Sequence, residues 1–177
     1  SRSKANTTAA ALIERGMLDE AGPQASSGGR RPETLLVSSN MGVLAAIDLG
    51  ATSVDVALVA PDMTVLAHHA EAIEIGDGPG SILSRVRELL RELRRRCNVR
   101  SEQVIGVGVG VPGPVEFDSG LLVAPPIMPG WEGFSIRDYL REDYAAPVFI
   151  DNDVNVMAMG ELWRLQRKLP NFVVVKI

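Results

Sequence analysis

From residue 43 onward, strand-length apolar runs alternate with helical stripes in one order, and that order limits the possible fold more than any other feature. Residues 43–48, 53–60 and 64–70 are apolar or alternating runs of strand length. Short turns at 50–52 and 61–63 separate them, so the three predict an antiparallel meander. Residues 81–98 then carry Ile82, Leu83, Val86, Leu89, Leu90, Leu93 and Cys97 on one stripe, the spacing of an amphipathic helix. A strand over 104–110, a short helix over 135–143, a strand over 147–150, a helix over 154–168 and a strand over 172–177 complete the pattern. No internal repeat is visible.

Three strands, helix, strand, helix, strand, helix is the order of one lobe of the actin/hexokinase-like (ribonuclease H-like) α/β fold. Ahead of it the texture differs. Residues 3–17 place Ala5, Ala9, Leu12, Ile13 and Met17 at helical spacing, with Gly16 near the helix end. Residues 21–33 form a Gly/Ser/Pro loop with Arg30 and Arg31 near its tip, 35–37 is a short strand beyond it, and 38–42 reads as a linker. The expected organisation is therefore 1–37, a linker at 38–42, and 43–177.

Charge follows the same division. Residues 1–32 carry five basic side chains (Arg2, Lys4, Arg15, Arg30, Arg31) against three acids (Glu14, Asp19, Glu20), a local +2 in a chain of net charge −4. The rest is therefore −6, and a basic head on an acidic body suggests two jobs. At 46% hydrophobic residues the chain can bury a core, which excludes global disorder. A single cysteine, Cys97, excludes an internal disulfide and a Cys-rich metal site within this chain. With no apolar run near the roughly 18 residues of a membrane span, and a polar start, a cytoplasmic protein without membrane contact is expected.

Two clusters carry chemistry. Asp48-Leu49-Gly50-Ala51-Thr52 lies between two strands. In a tight hairpin, backbone N–H groups and the Thr52 hydroxyl can face a phosphate, Gly50 permits close approach, and Asp48 can hold a hydrated Mg²⁺. A plain hairpin with an acid at its mouth is the alternative. Asp151-Asn152-Asp153-Val154-Asn155 follows a strand and opens a helix, the place where open α/β sheets bind ligands. Asn152 suits a pair of sugar hydroxyls, and Asp153 can take a proton from a hydroxyl attacking a phosphoryl group. Helix capping is the plainer reading.

Between these clusters, Gly106, Gly108 and Gly110 leave one face of a strand bare, and the 81–98 helix is the expected neighbour. The loop from Pro125 to Trp131 either walls a sugar pocket or plugs the core. His68 and His69, adjacent on a strand, point to opposite faces and read as non-metal. Arg94-Arg95-Arg96 read as an exposed, dipole-compensating helix end. Met128, Met157 and Met159 read as core.

Together these segments resemble the ROK family (repressors, open reading frames and sugar kinases) over nearly all of the chain. The matching motifs are the D-x-G-x-T turn from Asp48 to Thr52, the G-x-P-G-P loop from Gly110 to Pro114, the P-G-W loop from Pro129 to Trp131, and the N-D-x-N site from Asn152 to Asn155. The resemblance implies Asp153 as general base, Gly113, Asn152 and Asp153 on the sugar, and Asp48, Gly50 and Thr52 on ATP and Mg²⁺. It also implies that residues 1–37 are part of a winged helix-turn-helix, with 1–17 as recognition helix and 26–32 as wing. Ser1, Ser3, Lys4, Asn6 and Thr7 would then face the major groove of an operator, and Arg30 and Arg31 would reach phosphates or the minor groove.

The implied function is a sugar-responsive transcriptional regulator, a repressor and homo-oligomer. An ATP-dependent hexose kinase of the glucokinase type is the alternative, and a degenerate lobe used only for oligomerisation is a third reading. Ala51, where many family kinases have Gly, and Ile127, near a family Asn, weaken the kinase reading. Against the family pattern the chain reads as a fragment, without the earlier DNA-binding helices, the zinc motif or the second lobe, and no kinase activity is expected from these residues alone.

Overall fold

The computed structural model describes residues 2–21, 34–116, 118–165 and 171–175. Helix α1 (Arg2–Glu14) half-buries Ala9, Leu12 and Ile13, while Ala5 is exposed. It ends where Gly16 turns left-handed (φ 67°), with Gly16 N–H donating to Ile13 O at 2.8 Å and Met17 N–H to Leu12 O at 2.9 Å. Paired bonds of this kind around a glycine satisfy a helix's last carbonyls. The chain then forms β1 (Leu18–Ala21), antiparallel to β2 (Thr34–Val37). Charged, exposed Asp19 and Glu20 hid β1 from a pattern reading; the ladder with β2 supplies what side-chain alternation does not. The expected wing tip at 26–32, with Arg30 and Arg31, lies outside the described residues, as does Ser1.

The main sheet contains β3 (Val43–Leu49), β4 (Ser53–Val59), β5 (Val65–Ala72), β6 (Val104–Val111) and β7 (Val148–Asn152), in the order β5-β4-β3-β6-β7. The first three strands form the expected antiparallel meander, and β3, β6 and β7 run parallel. Helix α2 (Pro79–Arg96) lies between β5 and β6 in sequence, α3 (Ile136–Arg141) precedes β7 and α4 (Asp153–Arg164) follows it. From β3 to α4 the α/β topology and element order are thus as the sequence predicts.

Alternation decides which face is core. Ala45, Ile47 and Leu49 of β3 pair with Val107, Val109 and, across β4, with Leu58, Val56 and Val54. All are buried, as are Ile82, Val86, Leu90 and Leu93 of α2 and Ile136 and Leu140 of α3, and together they form one cluster. Gly106, Gly108 and Gly110 occupy the other face, in register with Leu44, Ala46 and Asp48. The expectation that α2 packs on the glycines is therefore wrong: α2 belongs with the valines that alternate with them.

Arg85 of α2 ties down the edge strand β5 through a bidentate pair with Glu71, at 2.7 and 2.8 Å. His69 also contacts Glu71, at 3.1 Å, while His68 points to the opposite face. Hydrogen bonding from Arg85 holds the Glu71 carboxyl down to about 2, against partial burial that pushes it up. Arg87 donates to Tyr139 O at 2.6 Å and to Glu142 at 2.7 Å, and it also pairs with Asp143. It lies over the Tyr139 ring, 3.9 Å from the centroid, and so locks α2 to α3.

Two expectations fail at the C-terminal end. Residues 172–175 form no strand, although Phe172 and the valines after it suit one; strand character needs a ladder partner, and none of these residues pairs with the β7 edge. Of the three methionines read as core, Met128 is buried, but Met157 and Met159 lie on exposed faces of α4. That helix buries only Asp153 fully among its described residues.

Candidate functional site

The site gathers where β3, β6 and β7 end. Asp48 is the second-last residue of β3, Gly110 the second-last of β6 and Asp151 the second-last of β7, and the three stand in register across the sheet on its open face. Gly110 is a hole between acids. A Cβ there would lie 3.0 Å from Asp48 Oδ1 and 3.6 Å from the Asp153 backbone, so the missing side chain lets the end of β3 and the start of α4 approach each other. Asp55 of β4 extends the row, paired across from Asp48, and its carboxylate meets His68 Nε2 at 2.8 Å.

The Asp48–Thr52 turn is closed by Gly50 N–H donating to Ser53 O at 2.8 Å. Its outer carbonyls are also used: Ala51 O accepts from Ile75 N–H at 3.0 Å, and Thr52 O from Ile73 N–H at 3.1 Å. Ala51 and Thr52 are exposed, which leaves the Thr52 hydroxyl accessible to a ligand. One N–H of the turn is thus committed to the hairpin, while the exposed loop face can still meet a phosphate.

Behind the turn, Trp131 is fully buried and donates Nε1–H to Ile75 O at 3.1 Å. Of the two readings open for the loop from Pro125 to Trp131, the core plug is the one found. The same loop closes over Gly113, where a Cβ would meet Leu122 and Pro125, each at 3.1 Å. Ile127 is exposed in this loop.

Asn152 does two jobs at once. Its Oδ1 accepts from Val154 N–H at 3.0 Å, capping α4, and its Nδ2 donates to Gly113 O at 3.1 Å. This bond joins the G-x-P-G-P loop to the N-D-x-N segment. Asn152 retains one N–H and a lone pair for a ligand. Asp153, at the first turn of α4, is 6% exposed, one of two buried polar side chains among the described residues, and its Oδ1 accepts from Val154 N–H at 2.9 Å. Asn155 donates to Asp151 Oδ1 at 2.9 Å, holding that acid beside the cap. The capping reading of this cluster is thus the one these bonds show, with Asn152 as the cap.

Asp48, Gly110, Gly113, Asn152 and Asp153 are thus brought together, with Gly50 and Thr52 on the adjoining turn. Lys4, Asn6 and Thr7 lie apart from them, exposed on α1. Sequence reasoning did not single out Asp55 or Arg137, and it read His68, which meets Asp55, only as non-metal. Arg137 of α3 donates to Val148 O at 3.2 Å and to Asp118 O at 3.3 Å, fixing the loop after Gly113 to β7. Only Asp55 had a signal, its in-phase position across a hairpin from Asp48.

Along the open face runs an apolar groove of about 540 Å³, floored by Ala46, Ala57 and Gly108 and flanked by Phe149 and Val156. It reaches Asp48 and Asp151 but not Asn152, Asp153 or Gly113. Among the described residues no three His, Cys, Asp or Glu side chains are grouped to hold a metal ion. A single carboxylate at a strand end, Asp48, fits the way Mg²⁺ is held with waters and substrate phosphates. No helix among the described residues is long and apolar enough to cross a membrane.

The family model described as "ROK family" matches residues 44–177. A xylose repressor of Caldicellulosiruptor bescii is 30% identical over 152 residues, covering 86% of this chain and 38% of the repressor. A glucokinase of Halalkalibacterium halodurans is 28% identical over 118 residues, covering 67% of this chain and 36% of that protein. A solved ROK family transcriptional regulator, a homolog of the E. coli MLC protein, superposes with a TM-score of 0.69 at 18% identity, over 92% of this chain and 41% of that one. At that identity the superposition shows the fold alone. The chain spans little more than a third of the length of the curated relatives it matches.

Proposed function

The chain belongs to the ROK family, and from that premise we propose that it is part of a sugar-responsive transcriptional repressor that binds an operator as a homo-oligomer in the cytoplasm. One observation carries this reading. The repressor similarity extends over 152 residues, more than the 135 of residues 43–177, so it includes part of the segment formed by α1, β1 and β2. The glucokinase similarity, at 118 residues, fits within the lobe.

In this reading α1 is the recognition helix of a winged helix-turn-helix, and the β1–β2 hairpin is its wing. Ser1, Ser3, Lys4, Asn6 and Thr7 approach the major groove, while Arg30 and Arg31 contact phosphates or the minor groove. The sugar sits against Asn152, Asp153 and Gly113. Asn152 offers its free N–H, the Asp153 carboxylate accepts from hydroxyls, and the Asn152–Gly113 bond keeps both walls in place. Sugar binding favours one arrangement of the lobe, and the change in population reorients the DNA-binding segments. Calorimetry of the full-length protein with D-xylose and D-glucose tests the site. Asn152→Ala should weaken whichever sugar binds by about tenfold or more, equivalent to roughly 1.4 kcal/mol. Unchanged affinity would contradict the assignment.

A hexose kinase is the second reading, favoured by the retention and burial of Asp153 beside the phosphate-type turn. There Asp153 accepts the proton of the attacking hydroxyl, Asp48 carries hydrated Mg²⁺, and Gly50 and Thr52 contact ATP phosphates. ATP and Mg²⁺ supply the phosphoryl group and its charge neutralisation. Asp153→Ala in the full-length protein should abolish ATP-dependent sugar phosphorylation; wild-type turnover in that variant would exclude this reading.

A further inference from the structure

The segment between β2 and β3 is too well packed to be a slack tether. Ser38 is 1% exposed, the other buried polar side chain among the described residues. Its N–H donates to Met17 O at 3.0 Å, so it is bonded directly to the turn that ends α1. Its hydroxyl accepts from Asn40 N–H at 3.3 Å and caps a 3₁₀ turn, Ser39–Met41. Gly42 follows at φ 130°, ψ −156°, a region open essentially to glycine alone. A Cβ on Gly42 would lie 2.4 Å from Gln103 O and 2.6 Å from Ile105 Cγ2. The backbone at Gly42 is therefore pressed onto the start of β6 one residue before β3 begins.

β3 and β6 are the strands whose other ends carry Asp48 and Gly110, with Gly113 two residues beyond β6. At about 3.3 Å per residue, the six residues from Gly42 to Asp48 span roughly 20 Å. The same two rigid elements thus hold the candidate site at one end and the N-terminal segment at the other. Between Val37 and Val43 there are only five residues, and four of them are occupied by the Ser38 cap and the turn it closes.

We propose that residues 38–42 form a stiff joint, with Ser38 and Gly42 as its positioning residues, through which the sugar-binding lobe sets the orientation of the α1–β1–β2 segment. The proposal rests on the regulator reading. The joint works because it cannot swing freely: Ser38 fixes it to the end of α1, and Gly42 seats it against Gln103. A displacement of the paired β3 and β6 therefore carries the N-terminal segment with it. A flexible linker of equal length would absorb the shift and transmit nothing.

The test is hydrogen–deuterium exchange on the full-length protein with and without D-xylose and D-glucose, beside calorimetry of sugar binding. The Ser38 amide should exchange at least about tenfold more slowly than an unstructured amide, because it is bonded and buried. Sugar should change exchange across α1 in the wild type. In Gly42→Ala, sugar affinity should stay within about twofold while the change at α1 is lost. Insertion of Gly-Ser between Met41 and Gly42 lengthens the joint without a clash and should give the same loss, which covers the case of a Gly42→Ala protein that does not fold. A Ser38 amide exchanging freely, or a sugar response at α1 preserved in the insertion variant, overturns the joint and leaves the regulator reading standing. A wild type that binds sugar with no change at α1 overturns the regulator reading and the coupling with it.

Discussion

Trp131 is the side chain on which the Asp48–Thr52 turn leans, and replacing it with phenylalanine should loosen the turn without emptying the core. The indole is fully buried, and its N–H is bonded to Ile75 O at 3.1 Å; the Ile75 N–H in turn holds Ala51 O. Trp131→Phe removes the donor. Ile75 O keeps only a long contact from Gly78 N–H, at 3.4 Å, so the loss should be near the middle of the range for a buried hydrogen bond, about 1 kcal/mol. The smaller ring leaves a partial cavity against Phe134, which now packs edge-on at 6.3 Å, and adds about 1 kcal/mol or somewhat more. The sum, about 2–3 kcal/mol, corresponds to a fall of about 1 M in the urea midpoint at an m-value of about 2 kcal/mol/M. Circular dichroism is the suitable probe, because the substitution removes the buried fluorophore and leaves the half-exposed Trp163. The Ile73 and Ile75 amides should exchange faster in the variant. An unchanged midpoint together with wild-type exchange at both amides would refute the idea that the indole supports the turn.

Other perturbations follow from named contacts. Asp143→Asn takes the charge from a partner of Arg87, whose side chain is 16% exposed; a loss of about 1–3 kcal/mol is expected by denaturant titration, and none would mean that Tyr139 O and Glu142 suffice. The Glu71 carboxyl, held at about 2 against an ordinary value of 4.5, contributes stability that is fully present above about pH 4.5 and lost as pH falls through about 2. Wild type should therefore exceed Glu71→Gln in stability at pH 6 by a small margin, below about 1 kcal/mol because Arg85 is exposed, and the gap should close towards pH 2. Asn152→Ala removes a helix cap and the Gly113 tie together, so alongside its sugar-binding defect it should cost about 1–2 kcal/mol in thermal unfolding; a shift in melting temperature without a change in sugar affinity would make Asn152 a cap only.

The order of elements was legible because the strands are half-buried and alternate, so the periodicity of 43–72 and the stripe of α2 record the same buried face twice. Which face the glycines of β6 occupy was not legible. A glycine shows where a side chain is missing, and only the register with β3 reveals that Gly110 makes room for Asp48 and Asp153. The candidate chemistry-bearing residues stand out in the sequence because acids and amides interrupt apolar strand ends. Arg137 escaped notice, and Trp131 stayed open between pocket wall and core plug, for the opposite reason: their roles lie in bonds to backbone carbonyls of Val148, Asp118 and Ile75, which leave no trace in residue type. The folded character of 38–42 was hidden likewise, since a serine and a glycine between strands are what a loop and a packed joint have in common.

The reading as a sugar-responsive repressor is tested most directly by capturing sheared genomic DNA on the immobilised full-length protein and eluting with D-xylose or D-glucose. Specific fragments should be retained and one sugar should release them, with release blunted by Asn152→Ala. Retention of no specific fragment, or fragments that neither sugar displaces while the protein phosphorylates sugar from ATP, would contradict it and leave the kinase reading in its place.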